Sequence, residues 1–70
     1  MNTNLRQTIL KSLVAAEDGK IAAAKANVEI YLSNPVGIGE HSDILAAINS
    51  QIDIIAEAGE RIEVITTLFE

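Results

Sequence analysis

Seventy residues with no cysteine allow one small domain and remove disulfides, thiolate metal sites and thiol chemistry together. Hydrophobic residues make up 49% of the chain but aromatics only 3%, so the apolar mass is Ile, Leu, Val and Ala, which suits helix packing far better than a β-sandwich or an aromatic-lined pocket. The formal charge of −5, from ten acidic and five basic residues, disfavours nucleic acid and anionic membrane surfaces, where clustered Lys and Arg supply the affinity.

Up to Ser33 the pattern is helical. Leu5, Ile9, Leu10, Leu13 and Val14 recur at three- and four-residue steps, and Ile21, Ala24, Val28, Tyr31 and Leu32 continue the spacing. Thr3 or Asn4 is placed to cap the start. Gly19 interrupts at a cost of about 1 kcal/mol relative to alanine. The stripe keeps its phase across it, however, and "IAAAKA" follows, so the reading is one helix over 3–33, bent at most at Gly19. The alternative is two shorter pieces and a three-helix unit.

The stretch "SNPVGIGEH", residues 33–41, reads as a turn over 34–41. Pro35 pushes Asn34 out of the α region, Gly37 and Gly39 permit the positive φ values of a sharp reversal, and His41 closes the turn as a polar loop residue. "GIGEHS" lacks the lysine and hydroxyl of a phosphate-binding loop and the strand and third glycine of a dinucleotide site. Glu40, His41 and Asp43 form the one cluster with acid/base or metal-binding character. Its plainer reading is two carboxylates favouring a helix dipole beside a loop histidine.

Ser42, with Asp43 behind it, reads as the cap of a second helix over 42–69. Leu45, Ile48, Ile52, Ile55, Gly59, Ile62, Thr66 and Phe69 form a heptad-like seam, and Ile44, Ala47, Ile54, Ala58, Ile65 and Leu68 a second stripe beside it. One neighbouring helix cannot cover so wide an arc. The oligomer interface is therefore expected at Leu45, Ile48, Ile52, Ile54, Ile55, Ile62, Ile65 and Phe69. Tyr31 is expected against the turn and the start of helix two, and Phe69 as a plug against the N-terminal leucines. The alanines at 22–24, 26, 46, 47, 56 and 58, with Gly59, point to close helix contacts and not to a substrate cavity.

Charge divides along the chain. Residues 1–33 carry Arg6, Lys11, Lys20 and Lys25 against Glu17, Asp18 and Glu29, four minus three, for a net of +1. Residues 40–70 carry Arg61 against seven acids, for a net of −6. Glu57, Glu60 and Glu63 mark an acidic outer face available to a partner.

The segment from Lys25 to Phe69, centred on "NPVGIGEH" and the Ile- and Glu-rich helix after it, resembles a group of short, largely uncharacterised proteins encoded by tailed phages, including those of marine cyanobacteria. That resemblance implies a helical hairpin, a phage origin and expression in a bacterial host, and it brings no catalytic residue. The fold expected is all-α: an antiparallel hairpin that dimerises or tetramerises into a helical bundle. The function expected is non-enzymatic, with no cofactor, no metal, no nucleic acid and no membrane. It is self-association together with binding or modulation of a host protein. A structural component of a virus particle is the alternative, and chemistry at Glu40, His41 and Asp43 a weaker one. No apolar run exceeds five residues, against roughly 20 needed to cross a bilayer, and the N-terminus lacks the apolar core of a signal peptide, so the cytoplasm is the expected location.

Overall fold

The computed structural model of the chain describes residues 3–33 and 41–70. Two α-helices, α1 (Thr3–Ser33) and α2 (His41–Phe69), pack against each other. At 1.5 Å per residue each is about 45 Å long, and the whole measures 53 × 16 × 12 Å, a rod two helices wide. Asn34, Pro35, Gly37 and Gly39, the expected turn, lie outside the described residues. His41 was expected in that turn and instead opens α2. Ser42 consequently sits inside the first turn of the helix, not ahead of it as a cap. Asp43 supplies a carboxylate to the same turn, where it favours the helix dipole.

α1 runs through Gly19 unbroken. Beyond the adjoining residues and the backbone of its own helical turns, no heavy atom lies within 4 Å of a Cβ built at Gly19 or at Gly59. Each glycine therefore leaves its helix the entropic penalty of a bare backbone with no packing benefit. Gly19→Ala and Gly59→Ala are each expected to raise the free energy of unfolding by about 0.5–1 kcal/mol, seen as a higher urea midpoint. A lower midpoint would mean that something outside the hairpin crowds the position.

The buried side is a seven-residue repeat on both helices. On α1 the least exposed positions are Leu10, Val14, Glu17, Ile21, Ala24, Val28 and Tyr31, spaced alternately by four and three. On α2 they are Ile44, Ile48, Gln51, Ile55, Ala58, Ile62 and Ile65, with Ala47 beside them. This is the pattern of an antiparallel coiled-coil pair. Neither stripe read from the sequence of α2 forms the seam whole. It takes Ile48, Ile55 and Ile62 from one and Ile44, Ala47, Ala58 and Ile65 from the other. The seam follows the column best centred on α1, and at seven-residue spacing that column runs between the two stripes.

Two polar contacts fix the register. Asn27 Nδ2 donates to Gln51 Oε1 at 3.0 Å, and Arg61 Nε lies 3.2 Å from Glu17 Oε1. Moving ten residues back along α1, from Asn27 to Glu17, moves the contact ten residues forward along α2, from Gln51 to Arg61. That is antiparallel pairing without slippage.

The end of the rod farthest from the chain reversal is closed by polar groups. Arg6 Nη2 donates to the carbonyl of Phe69. α2 has no basic residue in its last turn, so α1 supplies the cation that its terminal carbonyls attract. The ring of Phe69 is not the buried plug expected: it is 51% exposed, as is Leu5. Small residues also serve more selectively than expected. Ala24 and Ala58 are buried and Ala47 is half-buried, whereas Ala22, Ala23, Ala26, Ala46, Ala56 and Gly59 face outward.

Candidate interaction surface

Midway along the rod a carboxylate stands in the seam. The Glu17 side chain is only 6% exposed. One of its oxygens meets Arg61 Nε at 3.2 Å, and Lys20 Nζ lies at 3.2 and 3.4 Å from its two oxygens. Burying a lone carboxylate is costly, and two cations reaching in from solvent, each more than half exposed, offset that cost. Lys20 comes from α1 and Arg61 from α2, yet both reach the same group. They therefore lie on one flank of the hairpin, which Asn27 and Arg6 share.

Eleven large apolar side chains are exposed among the described residues. Seven-residue geometry sorts most of them onto two flanks. The flank of Lys20 and Arg61 carries Ile9, Leu13 and Ile30 from α1 with Ile54, Val64 and Leu68 from α2, exposed between 40% and 68%. The opposite flank carries Leu32, Leu45 and Ile52.

Of the residues expected at an oligomer interface, Ile48, Ile55 and Ile62 are half-buried and Ile65 is buried, all facing α1 of the same chain. Leu45, Ile52, Ile54 and Phe69 are exposed and divide between the flanks and the rod end. Glu57, Glu60 and Glu63 are exposed on the back and sides of α2, as expected. An open recess of about 250 Å³ lies among Glu57, Glu60, Arg61, Val64 and Ile65, and one of about 440 Å³ among Glu60, Glu63, Val64, Thr67 and Leu68. Both are depressions on the surface of α2, where acidic rims surround Val64 and Leu68. Glu40 and the His41 side chain, two parts of the candidate acid/base cluster, lie outside the described residues. Among the described residues no three acidic or histidine side chains gather into a metal-holding group. No helix among them is long and apolar enough to cross a membrane.

Set beside protein-family models, curated proteins and solved structures, the chain matches none of them.

The residues that sequence reasoning missed are Glu17 and Gln51, polar members of the seam, and Ile9, Leu13 and Val64 as surface. A signal for Glu17 was present. The apolar series of α1 jumps seven residues from Val14 to Ile21, and the omitted step falls on Glu17.

Proposed function

We propose that this is a non-enzymatic interaction protein of phage type. It self-associates as a helical bundle and presents the acidic back of α2 to a host protein in the bacterial cytoplasm. The observation that carries the reading is the eleven large apolar side chains left in water among the described residues. A monomeric fold rarely leaves contiguous apolar faces open without a partner for them. Of the three exposed carboxylates, Glu57 borders the main apolar flank, whereas Glu60 and Glu63 lie away from it, so self-association leaves those two free to steer a basic partner.

The test is affinity capture with the tagged chain beside a Glu60→Lys, Glu63→Lys variant of equal helicity and equal solution mass. The reading expects a host protein retained by the first, released by moderate salt and absent from the second. Equal capture by both chains would remove the acidic face from the reading.

A further inference from the structure

We propose that a second copy of this chain covers the flank that carries Lys20 and Arg61, about a two-fold axis crossing the rod near Gly19, so that α1 packs antiparallel on α1. The inference rests on the self-association proposed above and adds the face, the order and the symmetry.

Area comes first. A compact folded monomer of 7.5 kDa exposes about 4,250 Å². This hairpin exposes 5102 Å². The excess of about 850 Å² is close to the roughly 800 Å² that each partner gives to a stable interface.

The choice of flank follows from composition. Six of the exposed large apolar side chains lie on the Lys20 flank and three on the other.

Symmetry is written into α1. Its outward column on this flank reads Ile9, Ala16, Ala23, Ile30 at seven-residue spacing, the same in both directions. Antiparallel stacking therefore sets Ile9 of one copy against Ile30 of the other and Ala16 against Ala23, the self-complementarity that a two-fold interface requires. The alanines let the helices approach near the axis, and the isoleucines fill the ends. The same axis brings two Glu17–Lys20–Arg61 clusters together with Glu57 of each copy beside them. Two lysines and two arginines then meet four glutamates, so the centre is balanced in charge.

The chain contains no cysteine, so introduced thiols report position cleanly. The experiment measures the mass of the purified chain by light scattering across a dilution series, then oxidises two double variants. Ala16→Cys with Ala23→Cys is expected to give a covalent dimer in near-complete yield. Ala15→Cys with Ala22→Cys, one residue round the helix, is expected to stay monomeric on a denaturing gel. Wild-type mass should be twice 7.5 kDa, and Leu13→Glu with Val64→Glu should abolish it, whereas Leu45→Glu with Ile52→Glu should not. Cross-linking from the control pair alone would overturn the face assigned here while leaving self-association standing. A fully helical chain of 7.5 kDa at every concentration would overturn self-association and this inference with it.

Discussion

Arg61→Ala is expected to lower the free energy of unfolding by about 2 kcal/mol, and to lower it by less than about 0.5 kcal/mol once Glu17 has been replaced by leucine. The asymmetry follows from burial. Arg61 is half in water and loses little by itself, but the carboxylate it pairs with is 6% exposed. Removing the cation strands a buried charge, and that penalty exceeds the worth of the contact. Lys20 still reaches Glu17 at 3.2 Å, which holds the loss below the 3–5 kcal/mol typical of a fully orphaned buried ion. Glu17→Leu alone is expected to be neutral or stabilising, because an apolar layer between Val14 and Ile21 needs no ion pair. A urea-unfolding cycle over the four chains measures the coupling directly. Equal losses for Arg61→Ala in both backgrounds would show that Glu17 is solvated in solution and that the cluster is a surface pair.

This polar layer gives the hairpin something a uniform apolar seam lacks. Ile, Val and Ala at seven-residue spacing pack almost as well after a shift of one heptad. Glu17 finds Arg61, and Asn27 finds Gln51, only in the observed register. Slippage would bury a carboxylate without a cation, so these groups select among alignments that hydrophobic burial scarcely distinguishes.

Much of this was legible in the sequence, and the rest was hidden for definable reasons. Proline at 35 and two glycines after it divide the chain, and the apolar periodicity on either side announced two helices of the lengths found. The seam of α2 was not legible. Three neighbouring columns of that helix are rich in Ile, Leu and Ala, and residue type cannot choose among columns of similar hydrophobicity. The choice belongs to α1, whose single well-formed column runs from Leu10 to Tyr31 and faces the α2 column at Ile48, Ile55 and Ile62. Reading apolar residues as core also passed over Glu17 and Gln51, since a seam can hold polar groups when each finds a partner across it. The acidic back of α2 could be read directly, because nothing packs there to override the sequence.

Ala58→Leu is expected to lower the free energy of unfolding by about 1–3 kcal/mol, whereas Ala56→Leu, two residues away, should change it by no more than about 0.5 kcal/mol. Ala58 is 1% exposed and precedes by one helical turn Arg61, the partner of Glu17, and Ala24 on the facing helix is 2% exposed. At these levels the side chains end at Cβ and the backbones close the gap themselves. Three added carbons must either push α2 away from α1 or displace the Glu17 carboxylate from its cations. Ala56 points into solvent, where leucine is a good helix former that meets nothing. A seventy-residue chain has only about 3–5 kcal/mol to lose, so Ala58→Leu should leave a measurable unfolded fraction at 25 °C, read as lost helical ellipticity. Raising the protein concentration should recover part of that signal if copies associate, because binding between folded chains draws the equilibrium toward them. A stabilised Ala58→Leu chain would mean that a void exists at this level, and that the close approach of the helices at Ala24 and Ala58 is absent in solution.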